Sequence, residues 1–273
     1  MRTIIIINNI RFMIYTEDLS VYNYIKHFFY TGYDNEKYDG VINVYKKYNE
    51  VIIECLANGE KYIEVVDNKK VLHAFNIALE DMVTGAICDT LTSPFCVLHG
   101  GAVQIGQCNT LLLGAKKRGK STLTAALTRD KRNRFITDDV IIINEKGARG
   151  VSIPIRLRKE KVDGIRFDVY DKVSWDGEDN RYLYFPEQKI SEPIPIQCII
   201  FPEFSTEGTI DVMPLKGSML FLCLLQSIKR WDDSNTAISI LSNIADTCRG
   251  YRISYDSLSQ GLRLVEKIIE EME

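Results

Sequence analysis

The sequence predicts an α/β protein with a small N-terminal α+β module over residues 1–70, a linker helix over 71–92, and a larger domain over 93–273 with a mixed β-sheet around a glycine loop. Three observations carry this. The first 70 residues hold short β-branched runs separated by turn pairs. Lys69 to Leu91 has few breakers and apolar residues on one face. Between Phe95 and Ile143 the order is strand, glycine loop, helix, strand.

Thr3 to Ile7 and Ile10 to Tyr15 read as strands joined by a turn at Asn8-Asn9. Asp18-Leu19-Ser20 caps a helix through about Phe29, with Gly32 as its stop. Val41 to Tyr45, Val51 to Leu56 and Lys61 to Val66 form a meander with a hairpin turn at Asn58-Gly59. Tyrosines here read as half-exposed sheet surface, and an open edge would suit strand addition by a peptide.

The second domain opens with the strand Phe95 to Leu98, then His99-Gly100-Gly101-Ala102-Val103, then the strand Asn109 to Leu113. Gly114-Ala115-Lys116-Lys117-Arg118-Gly119-Lys120-Ser121 fits G-x-x-x-x-G-K-[ST] in full. Its two glycines let backbone N–H groups converge on phosphate oxygens. Lys120, read as an exposed loop lysine, supplies a point charge, and the Ser121 hydroxyl suits Mg²⁺. The helix Ser121 to Arg129 adds its positive end. Between Lys116 and Arg134 stand eight basic residues and one acid, Asp130. That concentration suits a polyphosphate, although Arg129, Lys131 and Arg132 also read as an exposed helix end. The cofactor-binding residues expected are Gly114, Lys117, Arg118, Gly119, Lys120, Ser121 and Thr122, for ATP or GTP with Mg²⁺.

Thr137-Asp138-Asp139 lies between short apolar strands. Adjacent carboxylates at a strand end are costly without a positive partner. One can hold the metal and the other accept a hydroxyl proton. His99 is flanked by glycines, which suits a site loop.

His99-Gly100-Gly101-Ala102-Val103, the loop at 114–121 and Asp138-Asp139 in this order resemble the catalytic domain of the HPr serine kinase/phosphorylase family, related to phosphoenolpyruvate carboxykinases. The resemblance covers about residues 93–160. It implies an HPr kinase-like fold, with Gly114, Gly119 and Lys120 on nucleotide phosphates. It implies Ser121 and Asp139 on Mg²⁺, Asp138 as base toward a protein serine, and His99 near the phosphates. Ile153-Pro154-Ile155-Arg156-Leu157-Arg158 is similar to a family segment, so Arg156 or Arg158 would hold a phosphate during transfer. The competing reading is surface pairing of both arginines with Glu160 or Asp163. Two departures stand out: Lys116-Lys117 replaces a Ser-Gly loop centre, and Thr122 replaces the acid of bifunctional members. The chain looks more like stand-alone kinase-like members of modified-peptide pathways.

Lys159 to Pro195 reads as loops and short strands, with a turn at Trp175-Asp176-Gly177. Ile196 to Phe201 and Ile210 to Met213 read as strands, Lys216 to Ser227 and Thr236 to Thr247 as helices. Gly250 stops the second of these, Tyr251 to Ser254 is a strand, and Ser257 to Glu271 a helix.

Apolar residues make up 45% of the 273, enough for a core, and the net charge of −3 gives no pull toward nucleic acid or membrane. Seven Cys without a C-x-x-C pair argue against disulfides and zinc and for a cytoplasmic setting. The apolar runs Ile4 to Ile7 and Met219 to Leu225 are too short for a membrane span or a signal peptide, so a soluble protein is expected. The function expected is phosphorylation of a hydroxyl, a peptide or protein serine first, such as a modified-peptide precursor. A small-molecule kinase and a non-catalytic nucleotide-dependent peptide binder are the alternatives, and a homo-oligomer is compatible with either.

Overall fold

The computed structural model describes residues 1–32, 37–169, 172–176, 179–205 and 208–272. The chain forms two compact units. One comprises Met1–Thr90 with Val169–Phe185, the other Leu91–Asp168 with Pro186–Glu273.

The first unit begins with the hairpin β1 (Arg2–Ile7) and β2 (Ile10–Thr16). Asn8 and Asn9 both adopt left-handed backbone, with φ of 52° and 66°, which makes the two-residue turn match strand twist. Helix α1 (Leu19–Phe28) starts under an Asp18 cap whose carboxylate accepts from the Ser20 and Val21 amides. It ends at Phe29, and the chain turns at once into β3 (Tyr30–Gly32), so Gly32 is a strand residue and not the expected stop. Then β4 (Gly40–Lys47), β5 (Glu50–Ala57) and β6 (Glu60–Asp67) make the meander, in sheet order β3-β1-β2-β4-β5-β6.

Helix α2 (Val71–Asp89) was expected as a linker, but it belongs to this unit and packs on β5, β6 and β2. Its Met82 reaches the Gly40 and Phe12 side of the sheet, and its Phe75 meets Tyr24 edge-on at 6.1 Å. Asn68–Asp89 is, among the described residues, the one helical stretch long and apolar enough to cross a membrane by length and composition. Of its most apolar window, 67% is buried, as in a core helix. The unit is completed by β16 (Lys172–Asp176) and β17 (Asp179–Tyr184), an antiparallel pair that returns from the far part of the chain, with β16 against α2. Trp175 and Asp176 thus end a strand, and Gly177 of the expected turn lies outside the described residues.

The second unit contains β7 (Cys96–Leu98), β8 (Gly100–Ile105), β9 (Cys108–Leu113), α3 (Lys120–Leu127), β10 (Arg134–Thr137), β11 (Ile141–Asn144), β12 (Gly147–Gly150) and β13 (Ile155–Leu157). The small hairpin β14 (Lys161–Val162) and β15 (Ile165–Arg166) follows. After the excursion come β18 (Cys198–Phe204), β19 (Asp211–Leu215), α4 (Gly217–Leu225), β20 (Ile228–Trp231), α5 (Ser234–Thr247), β21 (Arg249–Tyr255) and α6 (Leu258–Glu270). The main sheet has the order β10-β8-β9-β18-β21-β19, and a smaller sheet the order β12-β11-β7-β20. In the main sheet β9, β18 and β21 run parallel, and β8, β10 and β19 pair antiparallel, so the sheet is mixed as expected.

Gly250 does not close α5, which ends at Cys248. It sits in β21 where a Cβ would lie 2.7 Å from Leu220 of α4, so it is the close-approach point of that helix. The core between the sheets is aliphatic, with Leu111, Leu113, Ile141, Ile199, Leu220 and Leu241 fully buried. All seven cysteines are free thiols. Burial pushes the thiols of Cys55 and Cys96 up to about 12, which keeps both protonated and unreactive.

Candidate functional site

The parallel strands place their carboxyl ends together, the position where open α/β sheets bind ligands. At the end of β9 the chain leaves through Gly114, with φ of 120°, and enters α3 through Gly119, with φ of 91°. Neither conformation is open to an ordinary side chain. A Cβ on Gly119 would stand 2.6 Å from the Tyr255 hydroxyl, so the buried tyrosine of β21 presses on the loop's second glycine. Burial also raises the Tyr255 phenol above its ordinary value, which keeps it neutral. The Arg118 carbonyl accepts the Phe204 amide at 3.4 Å and ties the loop to the end of β18.

Lys120 is buried, with 7% of its surface exposed, contrary to its reading as an exposed loop lysine. Its Nζ donates to the Gly114 carbonyl at 2.8 Å and the Ala115 carbonyl at 2.9 Å. The ammonium therefore closes the loop on itself. Its pKa is lowered, chiefly by desolvation. The Asp138 carboxylate opposes that shift, and Lys116 adds to it. Lys116, Lys117 and Arg118 are exposed, with Lys117 in left-handed backbone, while Ser121 and Thr122 are half-buried at the start of α3. Arg132 and Lys131 are engaged elsewhere, with Asp130 at 2.5 Å and Glu187 at 3.6 Å. That part of the basic run thus forms ion pairs just past the end of α3.

The two aspartates separate. Asp138 is buried, within electrostatic reach of Lys120. Its Oδ1 lies 3.4 Å from where a Gly101 Cβ would stand, and the Thr124 hydroxyl only 2.4 Å from the same point. Thr124 is fully buried and its Oγ1 has no hydrogen-bond partner. Asp139 takes left-handed backbone, φ 82°, which sends its side chain a different way. Its carboxylate pairs with Arg156 and lies 3.9 Å from His99 Nδ1. The His99 ring nitrogen also stands 3.2 Å from the Asp139 carbonyl, and the His99 amide donates to the Ser227 carbonyl at 2.8 Å.

The fold thus makes two groupings from the expected residues: Lys120 with Asp138, and His99, Asp139 and Arg156. The Arg156 guanidinium pairs with the Asp139 carboxylate. Arg158 is exposed beyond the end of β13. Between the loop and α4 lies a cavity of about 180 Å³ lined in part by Gly114, Ala115, Arg118, Glu203, Cys223 and Arg252. Arg252 Nε lies 3.8 Å from Glu203 Oε1. Tyr255, Thr124, Glu203 and Arg252 escaped sequence reasoning. Tyr255, Glu203 and Arg252 sit on β18 and β21, which reach the loop only through folding; Thr124 follows the loop on α3, where nothing local marks its hydroxyl.

The donor set suits Mg²⁺, since the Ser121 hydroxyl and the two carboxylates are hard oxygen ligands. At Asp139 a metal would have to exchange with the Arg156 guanidinium.

No protein-family model matches the chain, and no curated protein matches it. Among solved structures the chain is similar to the Hpr(Ser) kinase/phosphatase from Coxiella burnetii, at 12% identity and a TM-score of 0.28, over 64% of this chain and 92% of that one. What the site can do is decided by its own residues.

Proposed function

We propose that the second unit is an ATP-dependent kinase that transfers the γ-phosphoryl group to a hydroxyl, first of all a serine of a peptide or protein. The carrying observation is the G-x-x-x-x-G-K-S loop at the end of a parallel strand, with buried Lys120 inside it and the Asp138 carboxylate opposite. Loop amides and Lys120 would hold the β and γ phosphates, with the Gly114 and Ala115 carbonyls giving up the ammonium to them. In the transfer the acceptor oxygen bonds to the γ-phosphorus while the bond to the β,γ-bridging oxygen breaks. ADP leaves with that electron pair, and the hydroxyl proton passes to Asp138. Mg²⁺ on Ser121 and Asp139 would neutralise phosphate charge. Arg156, released from Asp139, would meet a phosphate oxygen together with His99.

The test is calorimetric titration with Mg-ATP, followed by incubation with γ-labelled ATP and serine-containing peptides. Tight Mg-ATP binding with label transfer supports the reading. A chain that binds no nucleotide refutes it, and binding without transfer to any hydroxyl supports the non-catalytic alternative. The cavity of about 180 Å³ beside the loop favours, as the second reading, a small hydroxyl compound as acceptor.

A further inference from the structure

We propose that Thr124 is a positioning residue for Asp138: its buried hydroxyl holds one oxygen of the carboxylate once a nucleotide has drawn Lys120 away, and leaves the other oxygen to face the acceptor hydroxyl. This rests on the kinase reading above and deepens it by naming what aims the base.

Thr124 lies one helical turn past Lys120 on α3 and is fully buried. Its Oγ1 has no hydrogen-bond partner. A hydroxyl in that position has lost its water and gained nothing in exchange. A helical threonine has a ready remedy, which is to donate to a carbonyl one turn back. Thr128, at the end of the same helix, does so, donating to the Thr124 carbonyl at 2.9 Å and the Ala125 carbonyl at 3.1 Å. Thr124 makes no such bond, and its hydroxyl lies against β8 instead.

Gly101 of β8 makes room for that hydroxyl. A Cβ at Gly101 would stand 2.4 Å from Thr124 Oγ1 and 3.4 Å from Asp138 Oδ1. The two oxygens flank one point and lie within about two hydrogen-bond lengths of each other. Gly101 is not among the glycines with positive φ, so its missing side chain serves space and not backbone conformation. The strand therefore carries a glycine where an unpartnered donor meets the candidate base. Rotation of the carboxylate can close the remaining gap.

The charges give a reason for the bond to form when nucleotide enters. Until then Asp138 sits in the field of Lys120. A triphosphate competes for that ammonium with more charge and more acceptor oxygens. A neutral hydroxyl inside the core is out of its reach. Asp138 then keeps a donor that the phosphates cannot take. A base must also present one oxygen to the acceptor in a fixed direction. With Oδ1 held by Thr124, Oδ2 is the oxygen left to receive the proton.

The experiment uses the full chain, γ-labelled ATP and a pool of nine-residue peptides with a central serine. Single-turnover transfer and Mg-ATP affinity are measured for two variants that differ by the hydroxyl alone. Thr124→Ala removes the hydroxyl and the methyl group, and Thr124→Ser removes the methyl group only. Thr124→Ala should slow transfer about 10- to 100-fold with Mg-ATP affinity unchanged. Thr124→Ser should keep most of the wild-type rate. In an Asp138→Asn background Thr124→Ala should slow transfer no further, since no base is left to aim. Wild-type transfer in Thr124→Ala overturns the proposal and leaves the kinase reading standing. So does a Thr124→Ser as slow as Thr124→Ala, which would assign the effect to packing of the methyl group, and so does a loss of Mg-ATP affinity that matches the loss of rate. A wild-type chain that binds Mg-ATP and transfers to no peptide in the pool removes the peptide-kinase reading, and this proposal with it.

Discussion

Gly101→Ala is expected to destabilise the second unit, and the reason lies in one contact. The new Cβ would stand 2.4 Å from Thr124 Oγ1, where ordinary contact begins near 3.4 Å. Something has to move by about 1 Å. The Thr124 side chain is fully buried, and α3 is packed between β8 and α6, so relief requires a shift of the helix and not of a free side-chain end. Overpacking of this kind costs about 1–3 kcal/mol. For a unit of this size that is a fall in Tm of about 2–12 °C. Thr124→Ala removes the obstructing oxygen, which is a hydroxyl without a partner and hence a group whose burial already carries a penalty. The double variant Gly101→Ala with Thr124→Ala should therefore regain at least about 1 kcal/mol over Gly101→Ala alone. Thermal and urea unfolding of the four proteins in the cycle measures this. A neutral Gly101→Ala, or a double variant whose loss is the plain sum of the singles, would refute the contact. It would also remove the reason given for a glycine beside Asp138.

Three further outcomes are expected. Lys120→Ala should abolish Mg-ATP binding in calorimetry and also cost about 1–2 kcal/mol, because two charge-assisted bonds to the Gly114 and Ala115 carbonyls are lost; unchanged affinity would sink the phosphate-loop reading. Asp138→Asn should keep Mg-ATP binding but slow single-turnover transfer by about 10²–10⁴-fold, whereas Asp139→Asn should weaken Mg²⁺ dependence and nucleotide binding together; exchanged phenotypes would reverse the two roles, and wild-type transfer in Asp138→Asn would end the base assignment. Asp18→Ala should cost about 0.5–2 kcal/mol at neutral pH through the lost cap of α1. Burial raises the Asp18 carboxyl, but the Ser20 hydroxyl, the Val21 amide and Lys46 lower it further, so its folded pKa lies below the ordinary 3.8. The stabilisation is then complete above about pH 4 and fades as pH falls through the folded value. A wild-type advantage that stayed constant down to pH 2 would contradict the cap.

The loop was legible because its geometry is written locally. Only glycine accepts the backbone at 114 and 119, so the residues that make the loop also announce it. The same holds for Asn8-Asn9 and Asn58-Gly59, whose left-handed turns demand such residues. Other glycines misled. Gly32 and Gly250 read as helix stops, yet both are in strands, and Gly250 is small for the sake of Leu220, thirty residues away. Helix α2 read as a linker with apolar residues on one face, yet in the structure its buried residues run round much of the helix. What buries it is the sheet of β2, β5 and β6, a tertiary fact. The return of Val169–Phe185 to the first unit had no local sign at all. It also means that a fragment starting near residue 70 would carry α2, β16 and β17 without the sheet of their unit.

The carboxylate pair shows how much of the site depended on one backbone angle. From sequence, Asp138 and Asp139 are two like charges side by side, and repulsion alone would raise the pKa of one of them. The left-handed turn at Asp139 removes that conflict by sending the two side chains to separate cations. Asp138 meets the field of Lys120 inside the loop, and Asp139 meets Arg156 and the His99 ring. Each carboxylate has a positive neighbour before any nucleotide arrives. A triphosphate would compete with both acids for those cations, since it carries more charge than either and several more acceptor oxygens. Nucleotide entry would then draw Lys120 from its two loop carbonyls and Arg156 from Asp139. The same event would free one carboxylate for metal and leave the other next to the hydroxyl to be deprotonated. The pair can therefore divide its labour in either order, provided that Asp139 keeps its left-handed backbone.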